Sequence, residues 1–170
     1  MNNVPLWFER KFDLTFPVEL YPNVIARLRG TPARIEELVR EQPPSVMVRK
    51  DADKWSAQEH AGHLLDLEPL WFERVDDFLN GHSKLTAADL QNRKTHEADH
   101  NSHPIEKILT DFRIDRRMLV ERVEKIDLTL FERTLLHPRL NQPMRLVDHL
   151  YFVAEHDDHH LARIWELAGN

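Results

Sequence analysis

The stretch MRLVDHLYFVAEHDDHHLARI, residues 144–164, decides the fold class. Within it His149, Val153, His156, His160 and Ile164 recur at spacings of four, three, four and four. That is the period of one helical face. Asn141 and Pro143 mark the approach to this helix, and Gly169 supplies a stop after about residue 167. His156 and His160 stand one turn apart, a spacing from which two imidazoles can hold the same ion. His159 falls about a quarter-turn off that line and reads as exposed.

Working back along the chain, residues 104–125 repeat the pattern through Ile105, Ile108, Leu109, Phe112, Leu119 and Val123, with Pro104 suited to a first turn. Further back, SAQE at 56–59 has the form of a capping box, in which Ser56 accepts from a free backbone N–H and Glu59 reciprocates. The helix it opens carries Leu64, Leu67, Trp71, Val75 and Phe78 to about residue 79, where Asn80-Gly81 offers a stop. A first helical pattern covers 16–41 on Leu20, Val24, Leu28, Ile35 and Leu38. RGTP at 29–32 makes it either two helices or one with an internal kink. QPPS at 42–45 ends it, since consecutive prolines cannot continue a helix.

Between these elements, residues 1–15 read as an irregular packed lead-in, 46–55 as a loop, and 82–103 as a long polar connection with a short helix around 87–92. Residues 126–141 form another connector. Four long amphipathic segments with no strand pattern give an all-α, antiparallel four-helix bundle with long crossover connections, one domain spanning 1–170. Connections of this length invite a functional reading.

Composition narrows the chemistry. There is no cysteine, so disulfides, thiolate nucleophiles and Cys-ligated metals are excluded, and a metal would have to be held by His, Asp or Glu. The formal charge is −6, and Arg is interleaved with Glu and Asp, which argues against nucleic-acid binding. No apolar run of about 18 residues is present to span a membrane, and MNNVPLWFERKF lacks a signal-peptide core. The expectation is a cytoplasmic protein with no nucleic-acid or membrane partner.

A third ligand for the histidine pair can come from HAGHLLDLE, residues 60–68. Periodicity places His60 nearly in line with Leu64 and Leu67, and His63 in line with Leu67 and Leu70. Either one with His156 and His160 completes a three-imidazole face, and such a set leaves coordination positions open for water or substrate. There is no HExxH, which argues against ordinary zincin chemistry.

The blocks DKWSAQEHAGHLLDLEPLW (53–71) and MRLVDHLYFVAEHDDHHLARI (144–164), with RLRGTPARIEELV at 27–39, resemble the DinB/YfiT-like superfamily of metalloenzymes. The resemblance implies a four-helix bundle, commonly a homodimer, with a divalent metal at one end of a cleft. Nickel or zinc is the expected ion, and iron or cobalt also suit three imidazoles. Its ligand positions fall on His63, His156 and His160, so the resemblance selects His63 over His60. Relatives include thiol-dependent transferases and hydrolase-like proteins.

The functional expectation is therefore a metal-dependent enzyme acting on a small molecule, by hydrolysis or by transfer involving a low-molecular-weight thiol. The alternative is a non-catalytic metal-binding or stress-response bundle. In THEADHNSHP, 95–104, His100 and Glu97 are the candidates for proton transfer if the connection drapes over the cleft; otherwise it is a solvated loop. Asp148 and Glu155 are candidates to orient a ligand imidazole. Trp71, Tyr151 and Phe152 are candidate pocket walls, and Arg139, Arg145 and Arg163 candidate anion clamps, with core packing and surface ion pairs as the plainer readings.

Overall fold

Ser56 and Glu59 form the reciprocal cap their spacing predicts: the Glu59 amide donates to Ser56 Oγ at 3.1 Å and the Ser56 amide to Glu59 Oε2 at 2.8 Å. The helix they open runs Ala57–Asn80 and ends on Gly81 in the left-handed region (φ 69°), where a residue with a Cβ would be strained. The computed structural model describes residues 4–169. In chain order its helices are α1 (Tyr21–Val39), α2 (Pro44–Met47), α3 (Ala57–Asn80), α4 (Arg93–Glu97), α5 (Ile105–Val123) and α6 (Leu146–Leu167).

The four long helices, α1, α3, α5 and α6, make the bundle. α1 packs on α5 and α6, and α3 packs on the same two, so α1 and α3 sit diagonally, as do α5 and α6. The connection 82–103 returns the chain from α3 to its neighbour α5, and 124–145 carries it across the diagonal to α6.

RGTP resolves as a single helix running through Pro32. Proline there removes an N–H that would have bonded the Leu28 carbonyl. Arg116 from α5 supplies a substitute, with Nη1 3.5 Å from the Leu28 oxygen, while the Arg27 carbonyl accepts from Thr31 Oγ1 and Arg34 Nη2, each at 3.2 Å. The helix continues with its one orphaned acceptor, the Leu28 carbonyl, met by a side chain.

Arg116 belongs to a polar layer that divides the core in two. One apolar cluster holds Val24, Leu28, Val75, Phe78, Leu119 and Val153; the other holds Ile35, Leu64, Ile108, Phe112 and Ile164. Between them each long helix contributes one residue: Thr31, Glu68, Arg116 and Asp157, all at most 1% exposed. Arg116 Nη2 reaches Glu68 Oε1 at 2.6 Å, Arg116 Nη1 pairs with Asp157, and Thr31 Oγ1 donates to Asp157 Oδ2 at 2.8 Å. Burial works against the charge on Arg116, but Asp157 and Glu68 hold its pKa above the ordinary value. Burial pushes Glu68 up to about 7 against the pull of Arg116.

The connections depart from expectation in three places. The short helix of the first long connection is α4 at Arg93–Glu97, with a single 3-10 turn at His100–Ser102, and not at 87–92. A one-turn helix, α2, starts within QPPS and takes the first two residues of the expected 46–55 loop, the rest of which is without helix. Residues 126–141 do not stay irregular: β1 (Thr134–His137) and β2 (Gln142–Arg145) form an antiparallel hairpin, with Leu135 opposite Met144 and Leu136 opposite Pro143. Asn141 takes the left-handed conformation its turn requires (φ 49°). β1 is also pinned by the first connection, since Leu85 N donates to Leu136 O and Leu136 N to Ser83 O. The hairpin hands Leu146 directly into α6. No helix among the described residues is long and apolar enough to cross a membrane.

Candidate metal centre and cavity

α3 and α6 pack directly against each other, which brings His63 on the first to His156 and His160 on the second. One ring nitrogen of each lies within 4.8 Å of the other two, and all three residues are buried. His160 Nε2 and His156 Nε2 are 3.2 Å apart. His60, one turn before His63, points to the same helix, but its Nδ1 lies 2.8 Å from His160 Nδ1. The structure therefore gathers His63 with the α6 pair and puts His60 behind it, against one of its members.

Two of the three imidazoles have a partner at the outward nitrogen. His63 Nδ1 is 2.9 Å from Thr95 Oγ1 on α4, so donation to that hydroxyl leaves Nε2 as the acceptor. His160 Nδ1–H donating to His60 leaves His160 Nε2 free in the same way. His156 Nδ1 is buried without a hydrogen-bond partner among the described residues. Burial also holds the imidazoles neutral: His63 falls to about 4 and His60 to about 3, while His156 and His160 lie well below the ordinary histidine value. Neutral imidazoles are the protonation state a divalent ion needs. The donor set fits such an ion.

These histidines close one end of a cavity of about 510 Å³. Its walls are mainly apolar: Trp7, Trp55, Leu67, Leu70, Trp71 and Phe152. Three indoles lie against the cluster, with ring centroids 4.9 Å for Trp7 to His156, 4.7 Å for Trp55 to His63 and 5.7 Å for Trp71 to His156. The N-terminal lead-in thus forms a wall, held partly by Arg10, which pairs with Glu155. At the other end stand Arg74, His137 and Arg139, the last two delivered by the hairpin. Leu6, Phe8 and Leu90, all more than half exposed, rim the mouth.

His159, expected in solvent, is half-buried and lines the cavity. His100 is buried but does not line it: Nε2 binds Asp66 Oδ2 at 2.8 Å, and its carbonyl accepts from Gln58 Nε2 at 2.6 Å. Burial works against ionisation of Asp66, yet hydrogen bonds from His100 and the Thr95 hydroxyl keep its pKa below the usual carboxylate value. Thr95 therefore joins His63 to the Asp66–His100 pair. Glu97 is exposed on α4, and its side chain makes no hydrogen bond or ion pair among the described residues.

Asp148 and Glu155 do not orient imidazoles. Asp148 binds Arg145, and Glu155 binds Arg10 and Arg27. Arg145 is further tied to the Leu14 and Phe16 carbonyls, and Arg163 pairs with Glu166, which leaves Arg139 as the one member of the expected clamp in the cavity. Trp71 and Phe152 line the cavity, whereas Tyr151 packs on Phe16 in a separate surface cleft. Sequence reasoning missed Trp7, Trp55, Thr95, Arg74 and His137. For Arg74 a signal existed: it continues the His63, Leu67, Leu70 stripe at helical spacing, an arginine where the face should be apolar.

Residues 27–164 match the sequence model of the DinB superfamily. Among solved structures the fold is similar to YfiT from Bacillus subtilis, described as a probable metal-dependent hydrolase with an unusual four-helix bundle topology. The TM-score is 0.79 over 94% of this chain and 91% of that one, at 19% sequence identity, a likeness of fold. No curated protein sequence matches the chain.

Proposed function

The chain belongs to the DinB superfamily, and from that premise we propose that it is a metal-dependent enzyme acting on a small molecule, by hydrolysis or by thiol-dependent transfer. The observation that carries this reading is the gathering of three buried, neutral imidazoles at the end of an aromatic-walled cavity. His63, His156 and His160 would hold the ion, with zinc or nickel the best suited to an all-imidazole site. A divalent ion there supplies Lewis acidity, polarising a substrate oxygen or lowering the pKa of a coordinated water or thiol.

The surrounding residues have separable tasks. His60 and Thr95 hold His160 and His63 in the tautomers that present Nε2. Trp7, Trp55 and Trp71 exclude water and limit how a substrate lies. His100, with Asp66, is a positioning residue in this reading, acting on His63 through Thr95 and not on the substrate. A homodimer comes with the family resemblance, and a cytoplasmic setting is the expectation from the sequence.

The test is turnover of a panel of aryl esters and amides, and of thiol addition to an electrophile, by protein loaded with zinc or nickel. We expect a rate at least about tenfold above that of chelator-stripped protein, abolished in His156→Ala, with a thiol requirement separating transfer from hydrolysis. Equal rates for loaded, stripped and His156→Ala protein across both panels would refute the enzymatic reading.

A further inference from the structure

At the end of the cavity away from the histidine cluster, three nitrogen donors face one region with no carboxylate to receive them. Arg74 is 2% exposed; its Nε donates to the Thr86 carbonyl at 2.9 Å, and its Nη2 donates to no described residue. Asp77, one turn further along α3, is engaged by His82 and the Thr86 amide and makes no ion pair with Arg74. Arg139 Nη2 is buried without a hydrogen-bond partner among the described residues. Arg139 stacks on Phe8 and Phe152, at 5.3 and 5.9 Å from the ring centroids. Stacking occupies the face of a guanidinium and leaves its N–H edge available.

His137 completes the set. The Leu140 amide donates to His137 Nδ1 at 3.3 Å, so in the neutral ring Nε2 carries the proton. His137 Nε2 lies 3.4 Å from Arg74 Nη1, so one bound oxyanion can reach both groups. Burial and the two arginines push His137 down to about 3, and burial lowers Arg74 to about 10, so at neutral pH the ring is neutral and the guanidinium charged. A buried and a half-buried guanidinium without an ion-pair partner are costly, and an oxyanion would satisfy all three groups. The carboxylates on the rim do not compete: Asp89 is held by Arg93, and Glu9 is exposed.

We propose that Arg74, Arg139 and His137 form a carboxylate-binding subsite, and that the cavity takes an organic acid whose apolar body lies on the aromatic wall. The two ends are joined by ring contacts of about one aromatic step each: His156 to Trp7 at 4.9 Å, Trp7 to Phe152 at 5.1 Å and Phe152 to His137 at 5.0 Å. This deepens the reading of the cavity as a substrate site and rests on it. The subsite itself does not depend on a metal.

The probes are 4-phenylbutyrate and its neutral primary amide, titrated against tryptophan fluorescence, since Trp7, Trp55 and Trp71 line the cavity. The titrations use metal-stripped and metal-loaded protein at pH 7.5, with metal content measured separately. We expect the acid to bind at least about tenfold tighter than the amide in both forms, a preference of the size charge-assisted hydrogen bonds confer. Arg139→Gln, at a half-buried position that tolerates change, should remove most of that preference. Arg74→Gln should do the same, with a thermal melt confirming that it folds. Equal binding of acid and amide, or no binding of either at millimolar concentration, would overturn the subsite. So would a preference that disappears on metal stripping and survives in both variants, because the carboxylate would then sit on the ion. A preference that persists in protein unable to take metal would uphold the subsite while refuting the metal reading.

Discussion

His60 shows how one side chain can be essential to a site without entering it. Its Nδ1 sets which nitrogen of His160 faces the cluster. His60→Phe should keep the bundle folded yet weaken zinc binding by about tenfold to a hundredfold, the usual effect of losing a partner behind a ligand; competition against a chromogenic chelator measures it, and unchanged affinity would remove His60 from the account. His149 presents the opposite case, an imidazole fully buried beside Trp71 and Phe78 with neither nitrogen hydrogen-bonded to a described residue. Burial drops its pKa well below the ordinary value. Below about pH 6.5 the unfolded chain takes a proton there that the folded chain refuses, so stability is whole above that pH and falls as pH drops, by about 1.4 kcal/mol per unit. His149→Leu should therefore gain on the parent as pH is lowered from 7.5 to 5.5, seen as diverging denaturation midpoints; parallel midpoints would contradict the assignment. At this scale the His156–His160 pair was legible from its spacing alone. His63 and His60 were not separable by periodicity because both are buried on the same side of α3, and only their partners on α4 and α6 distinguish them.

The elements carry the site through local rules and through one close approach. Ser56 and Gly81 bound α3 as the sequence reads, since caps depend only on neighbouring residues. Gly62 has a reason that no local rule contains: a Cβ there would run into the His100 ring, so the first connection lies flat on α3 only because that position is glycine. Gly62→Ala should cost about 1–3 kcal/mol, as overpacking does, and should raise hydrogen exchange in residues 93–102 more than in the bundle; an unperturbed melt would mean that the His100 contact is unimportant. The hairpin escaped sequence reading for a related reason. TLLH and QPMR are four-residue strands, one with a proline, and they pair with each other and with residues 83–85, contacts that periodicity does not see. With it went the arginine end of the cavity, because His137 and Arg139 reach that end only through the hairpin.

Across the whole molecule, Arg116 ties the four helices at one level. It binds Glu68 on α3 and Asp157 on α6, and it reaches the Leu28 carbonyl on α1. Because Asp157 follows His156 and Glu68 stands five residues after His63, this layer also fixes the rotation of the two ligand-bearing helices. Arg116→Met should lose about 3–5 kcal/mol, since it leaves two carboxylates buried without their cation, and guanidinium denaturation would register it. The four-helix arrangement was readable from amphipathic spacing, while the polar layer was not, because a buried Arg, Glu, Asp and Thr look like surface residues until their partners are known. The proposed chemistry requires that the three histidines at this level hold a divalent metal. Elemental analysis of protein purified without a histidine tag, and of its His63→Ala, His156→Ala and His160→Ala variants, tests it most directly. We expect close to one zinc or nickel per chain in the parent and sharp loss in each variant with the helical spectrum retained. A folded parent that holds no metal and cannot be loaded, or variants that bind as much as the parent, would contradict it.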